Sequence, residues 1–177
     1  MSTRLLPLIA FIGLALLLFI GVRMNSGKDN SAIPSPLIGK PAPQFLLPVL
    51  NRPEVFVKTD DLKGKPYLLN VWGSWCPACQ IEHPVITQFA KTGKIRVIGY
   101  NYKDETDAAN KWLQQFGNPY DLILVDEPGR AALDWGIYGA PETFLIGADG
   151  IVRWKHVGPI TPEIIEQGIL PALESAR

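Results

Sequence analysis

The sequence predicts an α/β domain, a central mixed sheet with helices on both faces, behind one N-terminal transmembrane helix. Three observations predict it. Short apolar runs of strand type alternate with segments of helical period between Glu54 and Leu173. Gly147-Ala148-Asp149-Gly150 joins two strand-like runs near the C-terminus, where Asp-Gly suits a hairpin turn. An uncharged apolar run, Leu5 to Val22, stands near the N-terminus.

That run reads LLPLIAFIGLALLLFIGV. As a helix it would measure about 27 Å, close to the hydrocarbon thickness of a bilayer. Pro7 falls in the first turn, where a missing N–H costs little. Arg4 and Arg23 bracket the run and suit its two interfaces. A cleaved signal peptide has a shorter apolar core followed by small residues, and Gly21-Val22-Arg23-Met24-Asn25 offers no such site. Residues 1–24 are therefore read as an uncleaved anchor. Basic residues on both sides give the positive-inside rule little to decide. Export of the remainder rests on the short N-terminal tail and the large domain that follows. Residues 25–36 (NSGKDNSAIPSP) read as a flexible linker, and 37–177 as one domain able to bury its own core.

Within the domain, Glu54–Lys58 is a short strand and Asp60–Pro66 a turn. Tyr67–Trp72 (YLLNVW) is a buried-type strand, and Pro77–Lys91 a helix. Lys94–Tyr100 is a strand. Thr106–Phe116 is a helix with Ala109, Trp112, Leu113 and Phe116 on its core face, ended by Gly117-Asn118-Pro119. Leu122–Val125 is a strand and Arg130–Trp135 a short helix. Glu142–Ile146 and Ile151–Val157 form the hairpin. Pro162–Leu173 closes the chain as a helix, with Thr161 as N-cap and Pro162 at the first helical position.

Composition narrows the function. Seventeen basic residues balance seventeen acidic ones, so no net field draws nucleic acid. Two cysteines are too few for a disulfide-stapled miniprotein and allow one pairing only. Those two carry the chemistry. Cys76-Pro77-Ala78-Cys79 follows a buried strand and opens a helix. Pro77 suits the first helical position. Cys76 then sits at a helix N-terminus, where free N–H groups and the macrodipole favour the reactive thiolate. Cys79, about one turn on, can resolve a mixed disulfide formed at Cys76. Trp72 and Trp75 would flank the pair. A structural bridge, a zinc site, and a copper site recruiting His83 or His156 are the alternatives. The first closes too short a loop to stabilise much, and the second lacks two of its four ligands.

The segment Val71-Trp72-Gly73-Ser74-Trp75-Cys76-Pro77-Ala78-Cys79 resembles the active site of thioredoxin-like proteins. The resemblance implies that fold, with Pro84 as the helix-kinking proline, Pro141 as the family's cis-proline, and Gly158 as the glycine beside the same groove. Trp75, Pro77, Pro141 and Gly158 would then line or shape the substrate groove. One position departs: the buried aspartate six residues before the first cysteine is Asn70 here. Glu82, three residues after Cys79, and Glu142, directly after Pro141, become the candidates for proton handling and tuning.

Closer similarity is to the cytochrome c maturation type, CcmG/DsbE, through Leu37-Ile38-Gly39-Lys40-Pro41, Leu68-Leu69-Asn70-Val71-Trp72, Gly99-Tyr100-Asn101-Tyr102-Lys103-Asp104 and Gly136-Ile137-Tyr138-Gly139-Ala140-Pro141-Glu142-Thr143-Phe144-Leu145-Ile146. That resemblance implies a reductant of apocytochrome c, or of a partner thiol protein. It also implies an inner-membrane anchor, a catalytic domain in the periplasm, a DsbD/CcdA-type membrane reductant, and no cofactor or metal beyond the Cys76–Cys79 pair. A general exported reductase or oxidant and a copper-binding assembly protein are the rivals. A peroxidase is disfavoured because Trp75 and a CxxC stand where Pro and Thr would precede a single attacking cysteine. Glu82 and Glu142 also admit a plain solvated reading. His83 reads as a surface or helix-packing residue and His156 as a structural or exposed one; Asn101–Asp104 could line the groove or be an ordinary strand-to-helix loop, and Asp126–Gly129 reads as an ordinary turn.

Overall fold

The computed structural model describes residues 6–25 and 35–176. The chain divides into two compact units, Met1–Ile33 and Pro34–Arg177. In the first, helix α1 runs Leu6–Asn25, past the expected end at Val22. Phe11, Leu14, Leu17 and Phe19 on it are exposed. Among the described residues no helix is long and apolar enough to cross a membrane. Helix α1 runs 20 residues, about 30 Å. Most of the expected linker, 26–34, lies outside the described residues.

The second unit is a thioredoxin-like fold. Its strands are β1 (Leu46–Val49), β2 (Arg52–Lys58), β3 (Tyr67–Trp72), β4 (Arg96–Tyr102), β5 (Leu122–Asp126), β6 (Glu142–Ile146) and β7 (Val152–Val157). They form one sheet in the order β2-β1-β5-β4-β3-β6-β7. β3, β4 and β5 pair in parallel, and the other neighbours antiparallel. The helices are α2 (Pro77–Lys91), α3 (Thr106–Phe116) and α4 (Ala131–Asp134), with α5 (Pro162–Ile164) and α6 (Leu170–Glu174) at the end.

β3 sets the two faces of the core. All six of its residues are buried, and successive side chains must point to opposite faces. Leu68 and Trp72 join one cluster, with Ile86 and Phe89 of α2, Trp112 of α3 and Leu173 of α6. Tyr67, Leu69 and Val71 join the other, with Tyr100, Ala132, Trp135 and Phe144. Asn70 belongs by alternation to the face of Trp72, under α2.

Some elements differ from expectation. β1 was not expected, because Pro48 interrupts a run too short to signal a strand; the ladder shifts register between Pro48 and Val49. The turn expected after β2 begins as a 3-10 turn, Thr59–Leu62. The last helix is broken by a π turn, Ile165–Ile169. Pro171, just beyond it, has no N–H to continue the regular ladder. Thr161 caps the start as expected, its hydroxyl accepting from Ile164 N at 3.4 Å.

Candidate active site

β3 delivers the chain to Gly73-Ser74-Trp75, and α2 starts at Pro77. Cys76 is the N-cap of α2, in extended conformation. The cysteines are joined as a disulfide with Cα atoms 5.3 Å apart. Cys79 N–H points at Cys76 Sγ at 3.1 Å, one of the free N–H groups that a helix start must satisfy. Both cysteines are buried in the cluster of Trp72 and Ile86.

The two tryptophans part company. Trp72 packs in the buried cluster that holds both cysteines. It is wholly buried, 4.8 Å from the Trp112 ring and 5.6 Å from that of Tyr120. Gly99 permits this packing, since a Cβ there would meet Trp72 Nε1 and Tyr120 Cγ at 2.9 Å. Trp75 remains 49% exposed, and its indole N–H donates to Tyr102 O at 3.1 Å.

The loop carrying Ser74 and Trp75 is held by Asp104, from the β4–α3 loop. Asp104 is buried. Its Oδ2 accepts from Ser74 N at 2.7 Å and Asn101 Nδ2 at 2.8 Å. Its Oδ1 accepts from Ser74 Oγ at 2.6 Å and Glu105 N at 3.0 Å. Asp126 is likewise more than a turn residue: buried, it accepts from Tyr100 OH, Arg130 N and Ala132 N and so seats α4.

Glu82 is not solvated. It is 2% exposed, on the face of α2 that carries Cys79 three residues earlier. Its Oε1 accepts from Asn70 Nδ2 at 2.8 Å, and its Oε2 from Ile160 N at 2.7 Å. Asn70 also donates to Thr143 Oγ1 at 3.1 Å and accepts from Tyr120 OH at 2.8 Å. Burial pushes the Glu82 carboxyl up to about 7, against the opposing pull of the Asn70 and Ile160 hydrogen bonds. Burial holds the Tyr120 hydroxyl well above its ordinary range, with the nearby Glu82 charge adding to it.

Glu142 does not share that site. It pairs with Val71 across the sheet while Thr143 pairs with Asn70, so Glu142 faces the side away from α2. It is buried as well, against Lys155 Nζ at 2.8 Å. The Ala140–Pro141 bond is cis. Gly158, at φ 111°, donates its N–H to Pro141 O at 2.9 Å. Its positive φ favours glycine.

The histidines pack. His83 is turned to Gly117 O at 3.1 Å and lies edge-on to Trp112, and burial lowers its ring below the usual range. His156 stacks on Trp154. Among the described residues no group of three or more His, Cys, Asp or Glu could hold a metal ion.

The family model described as Redoxin matches residues 37–169. A thiol:disulfide interchange protein DsbE of Escherichia coli K12 is 47% identical over 172 residues, 96% of this chain and 92% of that protein. The chain belongs to the DsbE family of thiol:disulfide interchange proteins. It is accordingly a thiol:disulfide oxidoreductase. A DsbE of Xylella fastidiosa 9a5c is 52% identical over 145 residues, 82% of this chain and 74% of that one. Among solved structures, a thioredoxin-family thiol:disulfide interchange protein from Chlorobium tepidum superposes with a TM-score of 0.60 at 27% identity. It covers 77% of this chain and 94% of its own. In this DsbE-family domain, the buried Asn70–Glu82 pair and the Asp104 clamp are the features that motif reading did not supply.

Proposed function

We propose that the chain is a membrane-anchored periplasmic reductase. It would reduce disulfides of apocytochrome c, or of a partner thiol protein, during cytochrome c maturation. A DsbD/CcdA-type carrier would re-reduce it. The observation that carries the chemistry is the contact of Cys79 N–H with Cys76 Sγ at the head of α2, in the same buried core as the Glu82 carboxyl. The apolar composition of α1 supports the anchor, and the similarity to DsbE proteins supports the substrate class.

The Cys76 thiolate attacks one sulfur of the substrate disulfide; the substrate S–S bond breaks, and its second sulfur leaves as a thiolate. Cys79, passing its proton to Glu82, attacks Cys76 Sγ. The mixed disulfide breaks, the substrate leaves with both cysteines reduced, and Cys76–Cys79 is oxidised by two electrons. Pro141 and Gly158 border the groove where the substrate strand lies, and Trp75 covers its edge. No cofactor enters.

The test is the reduction potential of the full chain, with the Cys76→Ser and Cys79→Ser variants. A potential of roughly −200 mV or lower marks a reductant, whereas one near about −120 mV would reverse the direction. Cys79→Ser should trap mixed disulfides with a CxxCH peptide, and Cys76→Ser should not. Deletion of residues 1–24 should release the protein from the membrane fraction.

A further inference from the structure

The loop before the cis-proline is fastened from behind by one buried ion pair. Glu142 is fully buried, and Lys155 is 8% exposed at its side chain. Their charged atoms lie 2.8 Å apart. Lys155 stands on β7 opposite Phe144 of β6, with its ammonium 4.8 Å from the Phe144 ring and 5.7 Å from the Tyr138 ring. The same ammonium donates to Gly136 O at 3.0 Å. The other oxygen of Glu142 accepts from Tyr138 N at 3.1 Å. Among the described residues Glu142 Oε2 has no hydrogen-bond partner beyond that ion pair.

These contacts tie Gly136, Tyr138 and Glu142 to a single cation, and between them run Gly139, Ala140 and Pro141. Both charges face the side of the sheet away from the disulfide, so neither meets the reacting sulfurs. Tyr138 is 75% exposed, so the fastened loop presents it to solvent beside the cis-proline. A buried ion pair is a poor source of stability but holds its partners in one geometry.

We propose that Lys155 and Glu142 form a positioning latch that sets the cis-proline loop for a polypeptide disulfide and is not needed for exchange with a small dithiol. The proposal rests on the reductase reading above, because it assigns the loop to substrate binding. A small dithiol needs only access to a sulfur, whereas an extended chain needs the loop in register.

The test compares wild type with Lys155→Met, Lys155→Arg and the charge-neutral double variant Glu142→Gln/Lys155→Met. Single-turnover oxidation of each reduced protein by an oxidised CxxC peptide is followed against peptide concentration. Reduction of each oxidised protein by dithiothreitol is followed separately. Lys155→Met is expected to raise the half-saturating peptide concentration by about ten-fold while the dithiothreitol rate stays within about two-fold. Lys155→Arg should recover much of the loss. If Lys155→Met does not fold, the double variant, which leaves no lone buried charge, carries the same expectation. An unchanged half-saturation, or equal loss with peptide and dithiothreitol, overturns the latch. Failure of the wild type to react with dithiothreitol would instead overturn the redox reading itself.

Discussion

Asn70 Nδ2 lies 2.8 Å from Glu82 Oε1, an amide on β3 donating to a carboxyl on the active-site helix. Tyr120 OH, Thr143 Oγ1 and Ile160 N complete the set. Each polar group named finds a partner, which is the condition for keeping such groups in an apolar core. Asn70 stands at the position where the resemblance to thioredoxin-like proteins would put a buried acid, and the buried acid beside it is Glu82, on α2.

The shifted Glu82 carboxyl makes stability depend on pH. Its folded value of about 7 lies above the ordinary 4.5, so between those values the folded protein holds a proton that the unfolded chain has lost. Stability is then full below about pH 4.5, falls as pH rises, and levels off above about 7, a loss of roughly 3 kcal/mol. Glu82→Gln removes the titration. Urea unfolding of the oxidised protein should show the variant gaining on wild type by roughly 2.5 kcal/mol between pH 5 and pH 8. Parallel curves would show that Glu82 ionises at its ordinary value.

Restoring an acid at position 70 should not recreate a thioredoxin-like site. Asn70→Asp would set two carboxyls at the 2.8 Å separation of the present hydrogen bond. Like charges that close cannot both ionise, so the pair would share one proton over the neutral range. The expected outcome is a stability deficit of about 2–3 kcal/mol at pH 8 that shrinks by pH 5. Combining it with Glu82→Gln should remove most of that deficit. Unfolding midpoints of the four proteins at both pH values check this.

Sequence reading gave β3, α2, α3 and β6 their observed limits, because each has a local signal: an apolar run, Pro77 at a helix start, Gly117 after a helix end. β1 has none, since Pro48 breaks a run of four residues. The cysteines and the cis bond at Pro141 were legible through motif resemblance. The partners of Asn70 were not, because pairing across a strand and a helix depends on which sheet face each occupies. Glu142 shows the same limit from the other side. Adjacency to Pro141 suggested the groove, but the pleat turns its side chain to the opposite face. Asp104 sits in a loop with no periodicity, and its four donors come from three separate residues.

Asp104 yields the remaining prediction. Its carboxylate takes both the N–H and the hydroxyl of Ser74, two residues before Cys76. Asp104→Asn keeps the shape but turns an NH2 toward donors, so at least one buried donor loses its acceptor. The cost should be about 2–3 kcal/mol, since bonds to a charged acceptor are the stronger kind. Ser74→Ala removes only the hydroxyl contact and should cost about 1 kcal/mol. The consequences differ in kind as well as size. With Ser74→Ala the backbone N–H still holds the loop, so alkylation of reduced Cys76 by iodoacetamide should proceed at the wild-type rate. With Asp104→Asn the Ser74–Trp75 segment is released from the β4–α3 loop, and both Trp75 fluorescence and the alkylation rate should change. Equal unfolding free energies for the two variants, with unchanged alkylation in both, would mean that the Trp75–Tyr102 contact alone suffices to hold the approach to Cys76.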